Sequence, residues 1–310
     1  MPFSRELPSP EHLEARLSLR SQYDAQVRAF NEAGVLQILP DKAALGIIGL
    51  DPEHPEQVRE YPIPSFESIL ARLKERAEAL DTKIAQGFVK LRLVPVAMPL
   101  GTLKQRYGEQ LKTHHQNHQL FDSNGQPVNL DRETPVWAWE EYHNADVEGK
   151  LVYYPKSFDQ NNHGGMTKQE LIAATLNTPF PGWEVGLEED LPNLPGAGQG
   201  QVIGGRKQIE ANQTPTEYLK QPSSPEYADE EGFTPERELS LAIAELHSTN
   251  KVSDDYQGQG KISFLTGAFF PVSGNVPYAY FDRDTRRARL SRFNPDNRSE
   301  VCSARRWVRV

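Results

Sequence analysis

Apolar positions recur at helical spacing in several separate stretches of the chain. Leu13, Leu17, Tyr23, Val27 and Phe30 follow Ser9-Pro10-Glu11, a hydroxyl cap trailed by proline and an acid, and Gly34 ends the run. Ile69, Leu73, Ala77, Leu80 and Ile84 predict a second helix from a Ser65 cap to Gly87, while 35–39 and 45–50 read as strand or loop. Past Gly87 the period becomes two. Val89, Leu91 and Leu93 alternate with Lys90 and Arg92, a strand with one wet face. Leu100, Leu103, Tyr107 and Leu111 return to helical spacing. Asp122-Ser123-Asn124-Gly125 is a turn, and 136–139 and 151–154 read as short strands. Thr167 with Glu170 forms a capping box for a helix through Leu176. Residues 191–205 are a Pro/Gly loop. Thr234-Pro235-Glu236 opens a last helix with Leu239, Ala242, Ile243 and Leu246 on one face, and only strands and turns follow Asn250. The pattern predicts an α+β chain with a helical region up to about residue 87.

Composition changes this picture little, and mostly by exclusion. With 310 residues the chain is long enough for about two units. Its one cysteine, Cys302, excludes an internal disulfide and a Cys-pair metal site. No apolar run approaches the ~20 residues of a membrane helix. The first residues carry no apolar core after their charges, so the expected compartment is the cytoplasm. The net charge of −9 is uneven. Residues 281–310 hold nine Arg against Asp282, Asp284, Asp296 and Glu300, or +5, which leaves −14 elsewhere. This segment is either an interaction surface or a set of arginines paired with acids of the same chain.

Conventional catalytic motifs are weak. His114 and His118 are spaced to share a helix face, with His143 or His163 as a possible third ligand, but a zincin glutamate is absent and a solvated helix end is the better account of them. Residues 196–207, GAGQGQVIGGRK, could cradle phosphate on backbone N–H groups, yet lack a preceding strand and the Gly-Lys-Ser/Thr ending. The acidic runs 140–141, 188–190 and 229–231 single out no acid–base pair. Neither a metal nor a cofactor is implied.

Residue usage is more informative. Up to Lys261 the chain contains 13 Lys and 19 Gln, a rate at which the remaining 49 residues would hold about six; they hold none. Arg takes the basic role there. Every residue from Phe281 to Ser299 belongs to the set encoded by NNY codons, the products of adenine-directed mutagenesis of AAY codons. Arg's suitability for a rigid β surface is the competing explanation.

The stretches LVPVAMPL, LVYYPKSF, IGGRKQIEAN, DDYQGQG and SGNVPYAY, together with the C-terminal segment, resemble variable proteins of diversity-generating retroelements, specifically an uncharacterised candidate-phyla bacterial group. The likeness runs from about Phe88 to Val310. It implies a C-type-lectin-like fold, distantly related to formylglycine-generating enzymes, over 88–310, preceded by the helical region 1–87. The copper chemistry of those enzymes uses a cysteine pair that this chain lacks. The resemblance further implies turn-shaping glycines at 258, 260, 267 and 274. It makes Ala288, Leu290 and Val308 framework, with Glu300 and Trp307 fixed, and has Arg283, Arg286, Arg292 and Arg298 paired with carboxylates. The diversifiable ligand surface would comprise Phe281, Asp282, Asp284, Thr285, Arg289, Ser291, Phe293, Asn294, Asp296, Asn297, Ser299 and Cys302, exposed on one side. The resulting expectation is a binding protein, not an enzyme, whose partner is a protein or a small molecule. The alternatives are a nucleic-acid-associated protein using the Arg-rich segment, against which the interspersed acids argue, and an enzyme of uncharacterised type.

Overall fold

The computed structural model describes residues 17–258 and 260–310. In chain order its elements are α1 (Leu19–Glu32), β1 (Gln37–Leu39), β2 (Ala44–Leu50), β3 (Val58–Pro62), α2 (Phe66–Glu75), α3 (Ala77–Ala85), β4 (Phe88–Val94), α4 (Leu100–Gln116), β5 (Val136–Ala138), β6 (Val152–Tyr153), α5 (Lys168–Leu176) and β7 (Glu184–Glu189). There follow β8 (Val202–Ile203), β9 (Arg206–Lys207), α6 (Pro215–Lys220), β10 (Glu230–Gly232), α7 (Pro235–Thr249), β11 (Asp255–Tyr256), β12 (Ile262–Phe264), β13 (Ala268–Phe269), β14 (Val276–Asp282), β15 (Arg287–Phe293), β16 (Cys302–Ala304) and β17 (Arg306–Arg309). The chain is α+β, as its periodicity predicts.

Side-chain caps open four of the seven described helices. The Ser65 hydroxyl accepts from Ser68 N at 3.1 Å, and Thr167 and Glu170 form the reciprocal capping box. Thr234 caps α7, which ends on Asn250 in the left-handed region. The predicted start at Ser9 lies outside the described residues. The single helix expected over 65–87 is instead two, broken at Arg76, whose guanidinium reaches the Arg309 carbonyl.

Residues 17–87 are not simply helical, because β1, β2 and β3 form an antiparallel sheet among them. Nor does residue 87 divide the core. Leu19, Phe30, Ile69 and Leu80 belong to one buried cluster with Leu91, Leu246 and Trp307. Two glutamines of α1 join this region to β4. Gln22 donates to Val89 O (3.0 Å) and accepts from Leu91 N (2.7 Å); Gln26 donates to Leu91 O (2.5 Å) and accepts from Leu93 N (2.9 Å). One helical turn separates the two amides, and two residues separate their targets on the strand. The corresponding rises are about 6 Å and about 6.7 Å, so the spacings match closely. β4 is the edge of the sheet β10-β17-β7-β4, all antiparallel, and the amides occupy its open side.

The expected wet face of β4 is covered in part: Lys90 keeps 37% of its side chain exposed. Arg92 is buried, and donates from Nε to Glu188 Oε1 and from Nη2 to Glu245 Oε1, both at 2.5 Å. Helix α7 is likewise buried almost all round over its first ten residues rather than along one stripe. Its polar residues serve three directions. Glu236 receives Lys168 (2.5 Å), Arg237 holds Glu184 (3.1 Å) and Glu231 (2.6 Å), and Glu238 lies by Asp254 and Arg305. A buried charge survives only when paired and hydrogen-bonded.

Candidate ligand-binding face

The second large sheet has the order β16-β12-β14-β15-β5, with β11 added in parallel to the end of β14. Successive side chains of a strand point to opposite faces. Ala279 and Phe281 of β14 and Ala288 and Leu290 of β15 face the main core. On the opposite face lie Tyr278, Tyr280 and Asp282 of β14, and Arg289, Ser291 and Phe293 of β15. Registry places Tyr280 opposite Arg289 and Arg289 opposite Trp137, so one row across three strands reads Tyr280–Arg289–Trp137.

The Arg289 guanidinium carbon lies 4.4 Å from the Trp137 ring centroid and 5.9 Å from that of Tyr280, and Nη1 reaches Asp282 Oδ2 at 3.1 Å. Tyr280 stacks on Tyr278 at 5.7 Å and meets Tyr256 edge-on at 5.6 Å; Phe293 lies 5.0 Å from Phe264. Trp137, Tyr256, Tyr278, Tyr280 and Phe293 are each half-buried. Burial raises the Tyr280 hydroxyl to about 12, with Tyr278 adding to the shift. Burial opposes ionisation of Asp282, but hydrogen bonds from Thr285 and Arg289 outweigh it and hold the carboxyl below its ordinary value. Asp282 Oδ1 also accepts from Asp284 N (3.0 Å) and Thr285 N (3.3 Å), fixing the β14–β15 turn. The face thus offers flat apolar rings, a stacked cation and an ionised acid.

The twelve predicted surface positions do not all reach it. Asp284 is exposed and Thr285 half-buried in the β14–β15 turn; Asn294, Asp296 and Asn297 are exposed and Ser299 half-buried in the β15–β16 loop. Arg289 and Phe293 are half-buried on the face. Asp282 and Ser291 share that face but are buried, Asp282 by its pairing and Ser291 opposite Tyr278. The expected exposure is thus corrected at Asp282 and Ser291, and two further positions leave the face altogether. Phe281 is a core residue at 1% exposure, because alternation turns it away from its neighbour Asp282. Cys302 is sealed in a satellite core with Tyr218, Ile262 and Phe264, where burial raises the thiol to about 11. Trp137, Tyr256, Tyr278 and Tyr280 are absent from the predicted set. Tyr278 and Tyr280, alternating with Pro277 and Ala279, carried a readable signal; Trp137 reaches the face only through long-range parallel pairing.

The framework expectations fare better. Ala288, Leu290 and Val308 are buried. Arg283 pairs with Asp255 (2.5 Å) and Asp122 (2.8 Å), and Arg298 with Glu217 (2.6 Å). Arg292 instead stacks over Trp139 at 4.1 Å, and Arg286 stands exposed with φ 58°. Elsewhere in the segment, Arg287, Arg305 and Arg309 also reach carboxylates, so most of its positive charge is consumed within the chain.

The other motifs are occupied internally. In the glycine-rich loop Gly200 N donates to Glu210 at 2.7 Å, and Arg206 is buried between Glu189 and Glu230. His114 Nδ1 lies 3.0 Å from its own helix carbonyl at Gln110. Among the described residues the group with converging metal-ligand atoms is Asp51, Glu53 and His54, a largely exposed set without His114, His115 or His118. No described helix is long and apolar enough to cross a membrane. No family model, curated protein or solved structure significantly matches this chain.

Proposed function

We propose that this chain is a ligand-binding protein that presents a diversifiable C-terminal surface on a lectin-like scaffold, as the target of a diversity-generating retroelement. The observation that carries the reading is the coincidence of two independent patterns. The segment without Lys or Gln and with NNY-type residues supplies β15, its two flanking turns and, on the aromatic face, Asp282, Arg289, Ser291 and Phe293. Within it the core-facing Ala288 and Leu290 alternate with Arg289, Ser291 and Phe293 on the other side. A strand of this kind lets one face change while the other keeps the fold. Aromatic rings with Arg are the composition of interface hot spots, and the adjacent Asn, Asp and Ser positions are adaptable polar contacts. A protein partner fits this face better than a nucleic acid, because the arginines are already neutralised by Asp122, Asp131, Asp255, Asp282 and Glu217.

The test is to sequence this gene and its flanking DNA from many cells of one population. Substitutions concentrated at codons 284–299, sparing Ala288 and Leu290, with a nearby near-copy mismatched at adenines, are expected. A uniform sequence without such a copy overturns the proposal.

A further inference from the structure

The Tyr280–Arg289–Trp137 row has the geometry of a receptor already filled. A guanidinium is held between two ring faces with a carboxylate at its end, the chemistry by which aromatic cages bind cations. The same arrangement recurs inside the protein. Arg237 lies 4.4 Å from the Trp307 centroid and 5.0 Å from Tyr154, with Glu184 and Glu231 as acids. Arg206 lies 4.9 Å from Phe88 and 5.2 Å from Tyr227, with Glu189 and Glu230. Those two arginines are fully buried and serve the fold. Arg289 keeps 27% of its side chain exposed, on an open face, and its ring neighbours come from different strands.

We infer that Trp137, Tyr280 and Asp282 form a guanidinium-binding cage whose occupant is decided by residue 289. With Arg289 the chain plugs the cage itself. With a small residue there, the cage accepts an arginine side chain presented on the surface of a polypeptide ligand. The walls do not depend on the plug. Trp137 and Tyr280 lie outside segment 281–302, and Asp282 is anchored independently by the amides of Asp284 and Thr285. Position 289 is therefore the specificity-determining residue of the face, and exchange there switches the surface between an arginine donor and an arginine acceptor. The role of the site as a ligand face rests on the proposed function; the chemistry of the cage does not.

The test uses full-length Arg289→Ala and Arg289→Ser variants titrated with N-acetylarginine amide, read by tryptophan fluorescence and by thermal melting. N-acetylcitrulline amide serves as the uncharged isostere and N-acetyllysine amide as the non-planar cation. The arginine compound is expected to bind the variants at millimolar concentration and to raise their Tm by about 2 °C at tenfold excess over Kd. The citrulline compound and the wild-type chain should give no response. Adding Asp282→Asn to Arg289→Ala should weaken binding about tenfold or more. Equal binding of citrulline, a wild-type response as large as the variants', or tighter binding of lysine than arginine overturns the cage. Failure of both small-residue variants to fold also overturns it, since residue 289 would then be part of the scaffold. Codon 289 unchanged across a population would remove the diversification reading and leave the cage standing; absent binding would do the reverse.

Discussion

Phe281→Ala and Phe293→Ala should have very different costs, although both phenylalanines lie on paired strands of one hairpin. Phe281 is 1% exposed in the main core, opposite Ala288 and beside Leu239, Ala242 and Leu290. Removing its ring forfeits burial of a whole aromatic side chain and leaves a void among residues of a helix and two strands that cannot all close inward. Phe-to-Ala changes of this kind cost about 3–5 kcal/mol. Phe293 is half-buried on the opposite face, where it meets Phe264 at 5.0 Å and Tyr278 at 6.2 Å. Losing two such ring contacts and partial burial amounts to about 1–2 kcal/mol. Urea unfolding followed by tryptophan fluorescence separates them. With m near roughly 3 kcal/mol/M, the midpoint should fall by about 1–1.7 M for Phe281→Ala and by about 0.3–0.7 M for Phe293→Ala. Equal shifts, or a larger one for Phe293, would refute the assignment of the two faces on which the proposed binding surface depends.

Glu238 gives a pH signature. Burial, and then the negative Asp254 beside it, raise its carboxyl well above the ordinary value. The folded state thus holds this proton more tightly than the unfolded one, so its contribution to stability falls as pH rises above about 4.3, by at most about 1.4 kcal/mol per pH unit. Glu238→Gln should gain on the wild type between pH 4 and pH 8 in urea titrations; a constant difference between the two would contradict this. The Cys302 thiol should resist Ellman's reagent at pH 8 until denaturant is added, and prompt labelling of the native protein would show that its satellite core opens. Arg286 is exposed at φ 58°, so Arg286→Gly should leave stability unchanged or raise it by up to about 1 kcal/mol in the same unfolding assay; a loss above 1 kcal/mol would mean that its side chain serves the framework.

What could be read in advance was local. The capping residues Ser65, Thr167 and Thr234 and the turn at 122–125 depend on neighbours within a few residues, and each forms as expected. β7 was illegible because Glu184-Val-Gly-Leu-Glu-Glu reads as an acidic run; its buried carboxylates are met by Arg237, Arg92 and Arg206, which lie 53, 96 and 17 residues from their partners. The two-residue period of β14 was legible and would have separated Phe281 from Asp282. The place of Trp137 was not, since parallel pairing of β5 with β15 joins residues about 150 apart.

Gln22 and Gln26 give β4 something a short helix seldom provides, a second set of peptide-like partners along an open strand. An uncovered strand of this composition would invite a strand from another molecule, which is how sheets polymerise. Here the invitation is answered inside the molecule by side chains that cannot themselves be extended, because the far side of each amide belongs to a helix. The sheet therefore stops growing at an edge that belongs to a different sheet from the aromatic face. Whatever residues occupy that face, this border of the sheet remains closed to end-to-end assembly.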